Sequence, residues 1–435
     1  MVEPAATAIL RRRTVALLVL LVLTVYGFEA HARRREKSTP ATLGDQGAYL
    51  GYARHLYESH YAVVEDRNRM PIYPFLLSLI YRPGMTETEF LVRAQAFTVN
   101  LSIVLLLLLF VIFRRFFPPL PALALLAATA FGVFLYRADR AQVEILFYFV
   151  SFCAFVLLLQ MFKRPRWWLA VLAGAITGLA HLTKASVLPA LAIWAAVFGA
   201  QILFSFRRAP WPRFGMLALV VGAFFAVVFP YIQTSKRIYD AYFYNVNSTF
   251  VIWCDSSTEA YEFLRAHGDK AQWRSLPPEQ LPSMRKYWRE HSAAQIAWRI
   301  AHGSLELAIQ NAHAIGYYKF VIALFMAGAV LCARQSRQAR ELFARNPGAA
   351  VFCGLFLAGY FLLYAWYDTI INDSRFVLSI FLPFVFAASL FVLRLGRGRV
   401  VSLAGRQIPF EQFFPLWFAG LAVIDVLYHV PSLFR

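Results

Sequence analysis

Charge is what this 435-residue chain has least of. Asp, Glu, Lys and Arg make up only 15% of it, while 60% is apolar; a soluble globular chain carries roughly 25% charged and about 45–50% apolar residues. That shortage excludes a water-soluble enzyme and a disordered tail. Cysteine is also scarce, with four residues, which excludes a secreted disulfide scaffold. The nine His include no close metal-ligand spacing, and neither an internal repeat nor a low-complexity tract interrupts the chain. Acids are the rarer sign: 24 Asp and Glu stand against 43 Lys and Arg, for a net charge of +19. In a soluble protein such an excess would point to nucleic acid. Here the cations flank apolar runs, where membranes sort charge by side, and nucleic acid drops out as a partner.

Runs long enough to span a bilayer, roughly 17–25 residues, lie near 14–28, 94–113, 119–136, 142–162, 167–182, 187–206, 214–232, 317–332, 349–366, 376–393 and 413–428. The pattern predicts an all-α, polytopic transmembrane bundle of about eleven spans. It forms a single integral-membrane domain over 1–435, with two long outward loops, about 29–93 and 233–316, carrying interfacial helices. With the N-terminus inside, the inward joints hold nineteen cations, among them Arg11, Arg207 and Arg208. The short outward joints and tail hold five: Arg137, Arg140, Lys184, Arg375 and Arg435. The asymmetry sets orientation by the positive-inside rule. Arg11 to Arg13, an apolar stretch and Ala30-His31-Ala32 also fit a cleavable signal, and the following segment faces outward either way.

The polar chemistry lies on that outward face. Loop one reads Thr42-Leu43-Gly44-Asp45-Gln46-Gly47-Ala48-Tyr49, with apolar residues at helical spacing from Tyr49. Asp45 is either a capping partner of Thr42 or a functional acid. Further on, Arg67-Asn68-Arg69-Met70-Pro71-Ile72-Tyr73-Pro74 places two prolines around Tyr73, which disfavours regular helix there and holds Arg69 on a stiff corner. In the next outward turn, Asp139 and Gln142 fit a capping box, whereas Glu144 falls inside an apolar helix, where an ionisable group faces a partner or a cavity. Its alternative is a local pair with Arg140. The fifth span carries Gly174-Ala175-Ile176-Thr177-Gly178, a small-residue packing seam, and ends outward at His181-Leu182-Thr183-Lys184. Loop two is rich in aromatics. Within it Tyr287, Trp288, Ile296 and Ile300 fall on one side of a helix after Ser283. The last outward turn, Tyr367-Asp368 to Asp373-Ser374-Arg375, puts Arg375 at the mouth of the next span.

Acids (Asp45, Asp139, Glu144) and cations (Arg69, Lys184, Arg375) thus share one face at membrane depth. Transfer from a lipid-linked phosphosugar needs that combination. Cations hold the phosphate leaving group, a carboxylate takes the acceptor's proton, and the polyprenyl tail stays in lipid. On Gly44-Asp45-Gln46, Arg69 to Pro74, Glu144-Ile145-Leu146 and Gly178 to Lys184, the chain resembles the C-type superfamily of integral-membrane glycosyltransferases, in the branch of protein O-mannosyltransferases and aminoarabinose transferases. The resemblance covers roughly the first 230 residues, with Arg375-Phe376 beyond them. It implies Asp45, Glu144 and Asp139 as catalytic residues, Arg69, Lys184 and Arg375 on the donor phosphate, and Tyr49, Tyr73 and His181 on the substrate. It also implies an inverting transfer. The implied partners are a polyprenyl-phosphate sugar donor, membrane lipids and a glycan, lipid or protein acceptor. The implied place is a bacterial plasma membrane with the site facing outward. A divalent cation, Mg2+ or Mn2+, belongs to some members, but Gln46 stands where many carry a second acid, which weakens the case for a metal. The rival reading is a polytopic transporter or lipid-carrier flippase, which would put its ionisable groups and repeated halves at the midplane.

Overall fold

The computed structural model describes residues 12–36, 40–41, 44–62, 68–204, 211–268, 272–313 and 315–429. Of the residues named above, Arg11, Thr42, Leu43, Arg67, Arg207, Arg208 and Arg435 lie outside them. The chain is helical almost throughout. In order it forms α1 (Arg12–Glu36), α2 (Gln46–Glu58), α3 (Ile72–Ser78), α4 (Glu87–Phe116), α5 (Pro119–Gly132), α6 (Glu144–Met161), α7 (Trp167–Thr183), α8 (Leu188–Phe204) and α9 (Trp211–Tyr239). The second long loop then carries α10 (Val246–Thr249), α11 (Ser257–Ala266), α12 (Met284–Glu290) and α13 (Ala293–His313). The chain continues with α14 (Ile315–Arg334), α15 (Ser336–Arg345), α16 (Pro347–Tyr367) and α17 (Arg375–Leu395). An antiparallel hairpin, β1 (Val400–Leu403) and β2 (Arg406–Pro409), precedes α18 (Phe410–His429).

Each of the eleven apolar runs coincides with a helix. Eight, those of α1, α4, α5, α6, α8, α9, α16 and α17, are long and apolar enough to cross a membrane; α14 with α15 makes a ninth if their 106° bend is counted within one span. Helix α7 is apolar but shorter, as is the apolar stretch Phe410–Ile424 within α18. Close packing follows small residues. A Cβ added at Gly174 would overlap the Val220 carbonyl oxygen and one at Gly178 would lie 2.8 Å from Val227 Cβ, so the predicted seam is where α7 meets α9. Gly303 lets α13 approach the Ala365 carbonyl of α16 in the same way. Buried hydroxyl pairs add directional links: Tyr26 Oη to Ser102 Oγ at 2.7 Å joins α1 to α4, and Tyr364 Oη to Ser379 Oγ at 2.7 Å joins α16 to α17.

The two long loops are shorter than the sequence predicts, because the helices on either side overrun them. Helix α1 continues without a break through Ala30 to Glu36, α9 continues to Tyr239, and α4 already starts at Glu87, where Thr86 and Glu89 form a capping box. The first segment carries α2 and α3. Helix α3 forms despite its prolines: Pro71 is the cap and Pro74 falls in the first turn, where no intrahelical N–H bond is lost. In the second segment Ser283 caps α12 by accepting from Lys286 N. Tyr287 and Ile296 are buried, but Trp288 is 54% exposed, since a break at His291 separates α12 from α13 and turns the face. A second small core, with Tyr244, Val246, Phe250 and Trp273, packs against Ile370 of the turn that leads to Arg375.

Candidate active site

The site is assembled from helix ends. Asp45 is the residue before α2, Glu144 opens α6, Lys184 follows α7 and Arg375 opens α17. Helices α6 and α7 run as a hairpin, so the start of one and the end of the other share one end of the bundle. The ion pairs confirm that this end also holds Asp45, Arg69 and Arg375. Arg69 Nη2 donates to Asp45 Oδ1 at 2.6 Å, and Arg375 Nη1 donates to Asp45 Oδ2 at 3.0 Å. Glu144 Oε1 lies 3.6 Å from Arg375 Nη1 and 3.7 Å from Lys184 Nζ.

Five of the six charged residues predicted for the site therefore converge. Asp139 does not. It lies buried in the turn before α6, and its Oδ1 has no hydrogen-bond partner among the described residues. The capping box expected there is absent: the helix starts five residues later, the Gln142 amide donates to the Arg140 carbonyl at 3.0 Å, and the neighbouring Ala141 amide donates to Gln46 Oε1 at 2.8 Å. Glu144 is thus the first residue of α6, where the helix dipole favours a carboxylate, and its ion pairs go to Lys184 and Arg375 rather than Arg140. Asp45 makes no side-chain cap to α2.

The three candidate substrate residues are spread out. Tyr49 and Tyr73 meet edge to face at 5.3 Å, and the Tyr73 hydroxyl is taken by Thr98 Oγ1 at 2.7 Å; both rings are buried and form a floor beside the acids. His181 is outside the charged cluster, its ring packed between Phe224 and Phe243 at 5.8 and 5.7 Å. Lys184 instead sits over two rings, Phe147 at 5.4 Å and Phe376 at 5.3 Å, a setting that stabilises an ammonium poorly reached by water.

Several residues to which sequence reasoning assigned no place in the site complete the arrangement. Asp373 Oδ1 accepts from Arg137 Nη2 at 2.5 Å and from the Arg375 backbone N–H at 2.9 Å. Gln46, fully buried, accepts from Gln95 Nε2 at 3.2 Å as well as from Ala141 N, and donates to the Pro40 carbonyl at 3.1 Å. A carboxylate could accept but not donate, which explains an amide here. Gly44 beside it has φ +65°, and an added Cβ would lie 2.8 Å from Gln142 Nε2; only glycine suits both demands. An arginine of α13, Arg299, is sandwiched against Trp366 at 4.4 Å and Tyr287 at 5.1 Å while donating to the Cys254 and Trp366 carbonyls. It clasps the second long loop to α16.

The electrostatics follow from this census. Four cations (Arg69, Arg137, Lys184, Arg375) face three acids (Asp45, Glu144, Asp373), an excess that suits an anion. Burial alone would raise the Asp45 carboxyl, but Arg69 and Arg375 hold it below the ordinary carboxylate range. Asp373 is held down in the same way by Arg137 and Arg375. Burial lowers the Lys184 ammonium from its usual value, against the pull of Glu144. A divalent cation does not fit this donor set. Both Asp45 oxygens are engaged by guanidinium groups, and among the described residues no group of three or more His, Cys, Asp or Glu side chains could hold a metal ion.

No protein-family model matches the chain, and no curated protein matches it significantly. Among solved structures it is similar to ArnT from Cupriavidus metallidurans bound to undecaprenyl phosphate, at 15% identity and a TM-score of 0.47, over 96% of this chain and 71% of that one. At that identity the site has to be read from this chain's own side chains.

Proposed function

We propose that the protein is a glycosyltransferase that moves a sugar from a polyprenyl-phosphate-linked donor to an acceptor at the membrane surface. The observation that carries this reading is the convergence of Arg69, Lys184 and Arg375 with Asp45 and Glu144 at one end of the bundle. The scissile bond joins the anomeric carbon to a phosphate oxygen. As it breaks, negative charge grows on a phosphate that is already a good leaving group, so fixed cations are needed and a general acid is not. Lys184 and the two arginines supply them. The acceptor attacks the anomeric carbon directly, and its proton passes to a carboxylate. Asp45 is our choice for that base, because its side chain is 31% exposed whereas that of Glu144 is 2% exposed. Glu144 orients Lys184 and Arg375.

The donor's isoprenoid tail stays among the spans and its head at the helix ends, which accounts for a charged site at membrane depth. We assign the site to the cation-poor, outward side of a bacterial plasma membrane. A transporter or flippase would place ionisable groups within the spans; here they stand at helix ends and in turns. The test is to supply the purified protein in detergent with polyprenyl-phosphate hexoses and pentoses and with a membrane lipid and glycan extract as the source of acceptor. Release of polyprenyl phosphate, followed by mass spectrometry, is the expected result. A protein that neither binds these lipids nor releases the carrier sinks the reading. Mass spectrometry of envelope glycans and glycolipids from a deletion strain then identifies donor and acceptor.

A further inference from the structure

Arg375 holds the centre of the site from an unfavourable place. It is the first residue of α17, where the free backbone N–H groups and the helix dipole disfavour a cation. Asp373 offsets this. Its Oδ1 accepts the Arg375 N–H at 2.9 Å, and its Oδ2 lies 3.4 Å from Arg375 Nε. The same Oδ1 accepts from Arg137 Nη2 at 2.5 Å, and that nitrogen also reaches Ser374 Oγ at 3.1 Å. Tyr148 of α6 donates to the Arg375 carbonyl at 2.8 Å. The turn that carries Glu144 is therefore bolted to the turn that carries Arg375, across 236 positions of sequence. The Arg137 side chain is 7% exposed, so its hydrogen bonds work sheltered from water.

Building on the function proposed above, we propose that Arg137 and Asp373 are a positioning pair that fixes the Arg375 guanidinium for the donor phosphate. Neither residue touches the donor. Asp373 receives Arg137 on one side and the Arg375 backbone and guanidinium on the other, so Arg375 is presented to Asp45 and Glu144 at a set height and angle. Such a site loses affinity steeply when a supporting contact loosens.

Charge and position make opposite predictions here, which gives a clean test. Removing the negative charge of Asp373 would by field alone tighten an anion nearby. If the residue acts by holding Arg375, the same change weakens it. Polyprenyl phosphate is titrated calorimetrically into the full-length protein in detergent, for the wild type, Asp373→Asn, Arg137→Lys and each variant combined with Arg375→Ala. The expected result is binding weaker by about tenfold in Asp373→Asn and weaker, by less, in Arg137→Lys, which keeps the charge but not the fork. In the Arg375→Ala background neither change weakens binding further, a coupling that a general loss of stability would not produce. Equal or tighter binding by Asp373→Asn overturns the positioning role. Should that variant fail to fold, Arg137→Lys with and without Arg375→Ala decides the matter by the same criterion. A wild-type protein that does not bind polyprenyl phosphate at all defeats the proposed function instead, and this pair's role with it.

Discussion

Asp45 and Arg375, 330 positions apart in the chain, meet at 3.0 Å, and each is shared: Asp45 with Arg69, Arg375 with Glu144 and Asp373. An acid proposed to accept a proton is thus bonded to two cations proposed to hold a phosphate. A carboxylate and a phosphate compete for the same guanidinium hydrogens, so donor binding has to draw the arginines away from Asp45 and leave it more basic.

Asp45→Asn separates the two roles. It removes the competing charge and the base together, so binding of polyprenyl phosphate tightens by about tenfold or more, since a charge roughly 4 Å away is worth about 4 kcal/mol at an effective dielectric of 20 before screening. Sugar transfer is lost. Calorimetry and a release assay on one preparation check both. Transfer at the wild-type rate rules out Asp45 as the base.

Lys184→Ala acts on one substrate. The side chain lies 3.7 Å from Glu144 and over two aromatic rings, and its loss leaves one fewer charge for the donor phosphate. Donor affinity falls by about ten- to a hundredfold, with acceptor affinity little changed. Equal losses for both substrates point to packing instead.

Asp368 supplies a pH dependence. Burial first, then Glu306, pushes its carboxyl up to about 6. The folded state therefore holds a proton that the unfolded chain releases near pH 4, and stability falls as pH rises from about 4 through 6. Above that range the ionised acid lowers the stability of the folded state. Asp368→Asn should melt higher than the wild type at pH 7.5 and no higher at pH 4. The same melting temperature at pH 7.5 refutes the shift.

Gly174→Leu tests the seam. The side chain would meet the Val220 backbone and Ala223 Cβ, and the two helices have to part, at a cost of about 1–3 kcal/mol or more. Lower yield of folded, monodisperse protein and a lower melting temperature are expected. Unchanged melting means that α7 and α9 do not approach at that residue.

Much of the fold was legible because a bilayer imposes one rule on every span. All eleven apolar runs are helices, and the small-residue seam lies where two of them touch. Boundaries were less legible. Polar residues at the C-terminal ends of α1 and α9 continue a helix that hydropathy alone ends early, and Glu144 proved to open its helix rather than sit within it. Asp139 was misread for a physical reason. Capping is a local pattern, whereas here the Gln142 amide turns to the Arg140 carbonyl and the neighbouring Ala141 amide is claimed by Gln46, almost a hundred residues earlier. Arg137 and Asp373 carry no local signal beyond being charged residues in turns between spans. Their meaning lies in each other.

From the sequence alone came the helical spans, the gathering of acids and cations at one end of them, and five of the charged residues that form the site. Those follow from solvation, which acts on each segment separately. Tertiary structure alone decided which acid faces which cation, that Gln46 serves as a bridge, and that Asp139 and His181 stand apart. Such pairings depend on separations of a few ångströms between segments hundreds of residues apart, and Coulomb and hydrogen-bond energies respond to that distance and not to position along the chain.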